Sequence, residues 1–297
     1  MRGQLDYESV RHILQPPVNG VLGDYNSPLV DEDTQLMFCW IPKNGCTQIK
    51  ALFLRQQRNY SATAGFNQHD LSYIHAATGK VTHYTDKKFG FIWGNSSWHR
   101  WALLRDPFQR FVSGWIDKCL HVVKKHINDS NTEDLCLGCG NNIGCFAEVI
   151  LSKMLYMSYN HRRIGGNHVD HFYPQYWYCD FQNYYANYTR LFYMSDLNFK
   201  KDIRQEFLNI DWPSEIVTSS WGENGKAPIF GKKPVHAGKL AEKNRIWKLI
   251  KTNLTLTDVI YRCYFVDYAV FHFSLPDWVN RLCSKTVNSD SFLICRH

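Results

Sequence analysis

The chain has 297 residues, of which 44% are hydrophobic and 15% aromatic, so it can bury a full core, and we expect one large domain. Its 34 Lys and Arg residues against 27 Asp and Glu residues give a net charge of +7, which suits an anionic partner. The basic residues occur in scattered pairs, and the sequence has no zinc-finger or RNA-binding signature, so we expect no nucleic acid as that partner, and a sulfated or carboxylated sugar polymer fits the charge as well.

The first predicted unit of secondary structure is a strand, a turn and a helix. Residues 1–34 are polar and rich in turn residues, which predicts a surface leader before this unit. Residues 36–41 form a short apolar run, typical of a buried parallel strand, and residues 47–58 carry apolar side chains at helical spacing. A turn of this kind directs backbone N–H groups and a helix N-terminus at a phosphate, and here it consists of Pro42, Lys43, Asn44, Gly45, Cys46, Thr47 and Gln48.

The same arrangement occurs again about 60 residues later in the chain. Residues 101–104 are apolar and lead into Arg105-Asp106-Pro107, after which apolar residues recur at helical spacing. Residues 190–194 predict a third strand, and residues 198–208 predict its helix. The alternation indicates an α/β fold with a P-loop-like central parallel sheet flanked by helices. Two phosphate-binding turns indicate a doubly phosphorylated cofactor.

Alternative nucleotide sites fit less well. In a Walker loop the lysine follows the second glycine, whereas Lys43 precedes Gly45, so a metal-dependent nucleotidase or P-loop kinase is a weaker hypothesis. We expect no metal at the site.

Residues 121–180 do not continue the alternation of strands and helices, and they predict an insertion rich in cysteine and aromatic residues. Cys136, Cys139 and Cys145 have one spacing suited to a zinc knuckle, but no second pair of ligands follows, so disulfides are the favoured interpretation. The pairing does not follow from the sequence.

Cysteine usage and glycosylation sequons favour a lumenal or extracellular chain. There are ten cysteines, and five Asn-x-Ser/Thr sequons begin at Asn59, Asn95, Asn128, Asn187 and Asn253. We see no signal peptide or membrane anchor in this chain, because the N-terminus lacks an apolar run and the apolar residues 264–273 are too few and include Asp267. That last stretch predicts a core helix.

Both turns resemble motifs of the carbohydrate sulfotransferases. Their first cofactor motif is similar to Pro-Lys-x-x-Cys-Thr, present here as residues 42–47, and their second is similar to Arg-Asp-Pro-Phe-x-Arg-x-x-Ser, present as residues 105–113. Weaker similarity extends to residues 171–175 and to a closing Tyr-x-x-Asp helix at Tyr264 and Asp267. The resemblance covers roughly residues 35–273 and implies that residues 35–297 form a single sulfotransferase domain.

The resemblance implies roles for the motif residues. The donor would be 3'-phosphoadenosine 5'-phosphosulfate, with Lys43 as the catalytic cation at the 5'-phosphate and the bridging oxygen. The backbone and side chains of residues 42–48 would hold the 5' end, and Arg105, Asp106 and Ser113 would form the site of the 3'-phosphate. An ordinary surface ion pair between Arg105 and Asp106 is the structural alternative.

The closest resemblance is to the Golgi enzymes that sulfate chondroitin at O-4 and to the HNK-1 sulfotransferase-like group. It implies an anionic glycan acceptor such as chondroitin, sulfated at O-4 of N-acetylgalactosamine, and a type II membrane protein of the Golgi lumen. Gln48-Ile49 and residues 101–104 depart from the usual pattern, which affects the expected acceptor. A catalytically inactive glycan- or nucleotide-binding relative is the alternative.

The sequence does not choose a general base for the acceptor hydroxyl. A histidine or carboxylate is the expected type of residue. The candidate histidines lie between the motifs or in the insertion, namely His69, His75, His83, His99, His168 and His171.

Overall fold

The computed structural model describes residues 28–57, 86–120, 136–160, 169–221, 240–286 and 292–296. The described residues of Leu22–Arg105 and Tyr178–Ala237 form one compact unit, which we call the sheet unit. Those of Asp106–Trp177 and Gly238–His297 form the other, the helical unit. The single domain from residue 35 to residue 297 and the extent of the insertion stay predictions.

The sheet unit is built on four strands. In sheet order these are β1 (Leu29–Asp31), β2 (Leu36–Cys39), β3 (His99–Leu104) and β4 (Arg190–Tyr193). Strands β2, β3 and β4 run parallel, which confirms the predicted parallel sheet, whereas β1 pairs antiparallel with β2. The carboxyl ends of the three parallel strands therefore meet at one edge of the sheet.

Strand β1 lies within residues 1–34, which were predicted to be a surface leader. Leu29 is fully buried and Val30 is nearly so, which makes this end of the stretch part of the core. A turn from Glu32 to Gln35, closed by a hydrogen bond of 3.3 Å from the Gln35 N–H to the Glu32 carbonyl, returns the chain into β2. A three-residue strand is too short to show a period in sequence, so only its pairing defines it.

The described residues contain eleven α-helices. They are α1 (Cys46–Gln57), α2 (Asp86–Gly94), α3 (Pro107–Gly114), α4 (Ile143–Asn160), α5 (Phe181–Tyr184), α6 (Phe199–Asn209), α7 (Ser214–Trp221), α8 (Leu240–Thr252), α9 (Leu254–Cys263), α10 (Phe265–Val270) and α11 (Asp277–Ser284). Helix α3 continues as a π-helical segment, Trp115–Leu120. The helices predicted after the three parallel strands are confirmed as α1, α3 and α6, and the predicted core helix near the C-terminus forms the shorter α10.

Helices cover both faces of the sheet. On one face Phe38 of β2 and Trp101 of β3 pack with Phe53 of α1 and Phe207 of α6. On the other face Met37 packs in the cluster that includes Trp93 and Ile92 of α2. Neighbouring residues of β2 thus serve opposite faces, as the two-residue period of a strand requires.

The core of the helical unit is aromatic. Phe111 of α3, Phe146 of α4 and Phe172 form edge-to-face pairs, with ring centroids 4.6 Å apart for Phe146 and Phe172 and 5.7 Å apart for Phe111 and Phe172. Gly114 permits this packing, because a Cβ atom there would lie 2.9 Å from the Phe172 ring. Helix α3, which carries most of the second motif, is therefore fixed by its apolar face.

All ten cysteines lie in the described residues, and eight of them form four disulfides. The pairs are Cys39–Cys179 in the sheet unit and Cys119–Cys136, Cys139–Cys145 and Cys283–Cys295 in the helical unit. The preference for disulfides over zinc is confirmed, because the three closely spaced cysteines belong to two different disulfides. No helix in the described part of the chain has both the length and the apolarity to cross a membrane.

Candidate functional site

The turn between β2 and α1 has two residues in the left-handed region, and the backbone is strained at the first of them, Lys43. Lys43 and Gly45 have φ angles of 71° and 76°, in the left-handed region that glycine tolerates and other residues rarely adopt. The Asn44 N–H donates to the Ile41 carbonyl at 3.1 Å and closes the turn. A half-buried lysine held in this conformation is a feature that often marks a functional loop.

Helix α1 begins directly after this turn. The N–H groups of Gln48 and Ile49 both donate to the Gly45 carbonyl, at 3.0 Å and 3.2 Å, so the Gly45 carbonyl is the acceptor at the start of this helix. Cys46 and Thr47 precede them, where the geometry of a helix leaves N–H groups without intrahelical acceptors. Gly45 has no side chain to cap these amides, so the start of α1 is suited to an external anion.

Two hydrogen bonds join this turn to the end of β3. The Arg105 Nη1 donates to the Lys43 carbonyl at 2.9 Å, and the Asn44 Nδ2 donates to the Leu103 carbonyl at 2.8 Å. The structure thus brings the lysine of the first motif and the arginine of the second motif together at the carboxyl edge of the sheet. Ligands of open α/β sheets bind at this edge.

A second lysine lies next to the turn, and no sequence pattern predicted its position. Lys50 of α1 is only 3% exposed, and its Nζ lies 3.2 Å from the centroid of the Trp40 ring. A buried ammonium on an indole face is a cation–π contact, which stabilises the position of Trp40 just before the turn. Lysines on helices are normally exposed, so only the structure reveals this contact.

Asp106, predicted to contact the cofactor, caps helix α3. Its carboxylate accepts a hydrogen bond of 2.8 Å from the Gln109 N–H, and Pro107 occupies the first helical position. The other carboxylate oxygen accepts the Tyr268 hydroxyl at 3.3 Å, and burial, together with the Asp106 charge, raises the pKa of Tyr268 well above its usual value. The start of α3 is therefore already occupied by a carboxylate of the same chain.

Arg110, a fixed position of the second motif, is fully buried. Its Nη1 donates to the Tyr173 carbonyl at 2.6 Å. Nearby, the fully buried Asp267 accepts the N–H groups of Gln175 and Tyr176, both at 2.9 Å. Burial raises the pKa of the Asp267 carboxyl to about 6, although the charge of Arg110 and these hydrogen bonds act in the opposite direction. This network gives Arg110 and the closing Tyr-x-x-Asp motif structural roles.

The amino-acid sequence matches the family model described as "Sulfotransferase family" over residues 27–274. The chain belongs to the sulfotransferase family. It is 34% identical over 85 residues to the Caenorhabditis elegans protein "Putative sulfotransferase vep-2", and the match covers 29% of this chain and 25% of that protein. It is also 24% identical over 174 residues to "Carbohydrate sulfotransferase chst-1", covering 58% of this chain and 51% of that protein.

The chain spans about half or less of the length of these curated relatives. No solved structure matches it significantly. The sulfotransferase family is therefore established by sequence, and the four-stranded sheet with flanking helices is consistent with it.

The remaining predicted site residues of this sulfotransferase lie on other elements than the turn between β2 and α1. Ser113 is half-buried in the last turn of α3, in the helical unit, and its contact with a 3'-phosphate stays a prediction. His99 is the first residue of β3, so it lies roughly 17 Å along the strand from Leu104, at the amino edge of the sheet. His171 ends a short 3₁₀-helix in the helical unit. The other candidate bases, His69, His75, His83 and His168, lie outside the described residues.

Proposed function

We propose that this sulfotransferase transfers a sulfuryl group from 3'-phosphoadenosine 5'-phosphosulfate to a hydroxyl group of a glycan. The observation that supports this most is the hydrogen bond from Arg105 to the Lys43 carbonyl, since it joins a residue of the second motif to a residue of the first motif at the carboxyl edge of the sheet. A donor with phosphates at its 5' and 3' positions needs two cationic sites that are close together.

The chemistry requires charge stabilisation more than covalent participation. In the transfer, the acceptor oxygen forms a bond to sulfur, the bond from sulfur to the 5'-phosphate oxygen breaks, and the acceptor hydroxyl loses its proton to a base. Lys43 would neutralise the charge that develops on the leaving oxygen, and the N–H groups from Gly45 to Thr47 would bind the 5'-phosphate, because the Asn44 N–H already donates to the Ile41 carbonyl. Arg105, with its planar set of donors, would bind the 3'-phosphate. Neither role requires a metal ion.

For the acceptor we propose chondroitin, sulfated at O-4 of N-acetylgalactosamine. The match to a protein named carbohydrate sulfotransferase supports a glycan as the acceptor class. The four disulfides favour an oxidising compartment, and we propose the Golgi lumen.

Transfer of labelled sulfate tests the proposal directly. The full-length protein, given the labelled sulfonucleotide and a panel of desulfated glycosaminoglycans, should label desulfated chondroitin above the other polysaccharides. A relative that only binds would take up adenosine 3',5'-bisphosphate but label no polysaccharide. A kinase would show a larger thermal shift with ATP and magnesium than with the sulfonucleotide.

Substitution of the two cations tests their roles. Lys43→Ala and Arg105→Ala should each reduce kcat/KM more than tenfold, because each removes a charge-assisted contact worth about 1.5–3 kcal/mol. Lys243→Ala, at an exposed position of α8, is the control and should behave as wild type. Near-normal kinetics of either site variant would exclude that residue from the site.

The Cys46 thiol offers a test that does not depend on turnover. Cys46 is an unpaired, partly exposed cysteine at the start of α1, whereas the other unpaired cysteine, Cys263, is fully buried. Adenosine 3',5'-bisphosphate should slow the alkylation of Cys46 by iodoacetamide at least fivefold and leave Cys263 unchanged. Equal rates with and without the nucleotide would count against a donor site at this turn.

A further inference from the structure

The side chain of Asn44 is buried between the two motifs. It is 1% exposed, and its Nδ2 donates to the Leu103 carbonyl at 2.8 Å, across 59 residues of sequence. Position 44 is one of the two variable positions of the first motif, so the family resemblance assigns this side chain no role.

We infer that Asn44 is a positioning residue for the donor-binding turn. Its amide side chain holds the turn to β3, so that the backbone N–H groups of residues 45–47 keep the orientation required by the 5'-phosphate. The inference rests on the proposed function, because it assigns Asn44 a part in binding the same donor.

The bond from Asn44 continues the pairing of two strands beyond the end of the sheet. The last paired residues of β2 and β3 are Cys39 and Ala102. Beyond this pair, the Asn44 side chain donates a hydrogen bond to the backbone of β3. In return, the side chain of Arg105, which follows β3, donates a hydrogen bond to the backbone of the turn. This reciprocal pair fixes the turn and Arg105 relative to each other.

The conformation of the turn explains why such fixation matters. Asn44 lies between Lys43 and Gly45, both of which have left-handed φ angles. A left-handed lysine is disfavoured by the clash of its Cβ atom with the backbone, so the turn needs contacts that keep it in place. Removal of the Asn44 amide would take away the hydrogen bond that the Leu103 carbonyl accepts from it. Because a buried hydrogen bond lost without replacement is costly, other conformations of the turn would then be favoured.

The test separates positioning from general stability. Asn44→Ala removes the donor, and Asn44→Asp keeps the shape but replaces the donating amide with an acceptor. In the full-length protein, both variants should raise KM for the sulfonucleotide at least tenfold and change kcat less than threefold. Both should also weaken binding of adenosine 3',5'-bisphosphate at least tenfold, measured by calorimetry.

A matched control is available in the helical unit. Thr257 is also fully buried, and its hydroxyl donates to the Ile250 carbonyl at 2.6 Å. Thr257→Val should lower the melting temperature without changing the KM for the donor. If the Asn44 variants behave like this control, Asn44 is only structural and the inference is wrong.

Alkylation of Cys46 gives a second measurement. In the absence of nucleotide, the Asn44 variants should react faster than wild type at Cys46, because the start of α1 is less well fixed. Unchanged rates would contradict the inference. If wild-type protein itself neither binds the bisphosphate nor transfers sulfate, the proposed function fails. Normal donor affinity in both Asn44 variants overturns only the role of Asn44.

Discussion

The polar stretches that follow β2 and β3 look alike in sequence, but the helices that they lead into begin in opposite ways. Helix α1 follows Gly45, which offers no capping side chain, so the amides of Cys46 and Thr47 remain suited to an anion. Helix α3 follows Asp106, whose carboxylate already caps it. The backbone at the start of α1 is therefore suited to an anion, whereas the start of α3 is already capped, and we propose that the second motif contacts a phosphate through side chains such as Arg105.

The two regions are also held in place by different interactions. The chain enters the first turn just after Cys39, which is bonded covalently to Cys179, and two hydrogen bonds join the turn to the end of β3. Helix α3 is held by its aromatic face and by the buried Arg110, near the buried carboxylate of Asp267. The first region depends on a disulfide and the second on a buried ionisable network.

The largest expected effect comes from the disulfide next to the first turn. Cys39 and Cys179 are 140 residues apart, so replacing both with serine should lower the free energy of unfolding by about 2–5 kcal/mol. Urea unfolding of the oxidised protein measures this loss. Replacing Cys283 and Cys295, which are 12 residues apart in the helical unit, is the control and should leave donor affinity unchanged.

The ionisable network of the second region predicts a dependence of stability on pH. An unfolded Asp titrates near pH 3.9, and burial raises the pKa of folded Asp267 to about 6, so the folded protein binds more protons between these values. Stability from this group is fully present below about pH 4 and is lost as the pH rises to about 6, by roughly 3 kcal/mol at most.

Urea unfolding of wild type and Asp267→Asn across this range measures the effect. The variant loses an acceptor at every pH, but its stability relative to wild type should rise between pH 4 and pH 6. If the difference in the free energy of unfolding between the two proteins stays constant from pH 4 to pH 6, Asp267 does not titrate in this range.

Gly45→Ala tests whether the left-handed conformation at position 45 of the first turn requires glycine. A Cβ atom at Gly45 would lie 3.4 Å from the Gln48 Oε1, and alanine at a left-handed φ costs about 1–2 kcal/mol. We expect that loss in thermal unfolding, together with weaker donor binding. The control is Gly140→Ala, because Gly140 also has a left-handed φ, of 54°, and has open space where a Cβ atom would lie. This variant should lose stability without loss of donor affinity.

The smallest effect is expected at the cap of α3. Asp106→Ala should lower stability by about 1 kcal/mol, whereas Asp106→Asn keeps a capping oxygen and should lose little. Calorimetry should find donor affinity of Asp106→Asn within twofold of wild type. A large loss of affinity in this well-folded variant would place Asp106 at the donor and remove the contrast between the two helix starts.

Much of the fold follows from local sequence pattern. The three parallel strands and the helices after them show the continuous apolar runs and helical spacing that such elements require, and their predicted positions are confirmed to within a few residues. Strand β1 was missed because three residues carry no period. The disulfide pairing was left open because Cys39 and Cys179 are 140 residues apart, which no local pattern encodes.

The candidate site was only partly predictable. Parallel strands present their carboxyl ends at one edge, so the proximity of Lys43 and Arg105 was expected. The contact of Lys50 with Trp40 and the bond from Asn44 to Leu103 were not, because each depends on how a side chain packs rather than on its spacing.

The sequence by itself determined the strand, turn and helix order, the two motifs and the sulfotransferase family, because periodicity and short fixed spacings are local properties of the chain. Only the tertiary structure decided which polar groups are already used by the protein. Asp106 is bonded to its own helix and to Tyr268, and Arg110 to Tyr173, whereas the start of α1 follows a glycine. The reason is that a hydrogen bond depends on a partner in space, and such partners are distant in the sequence.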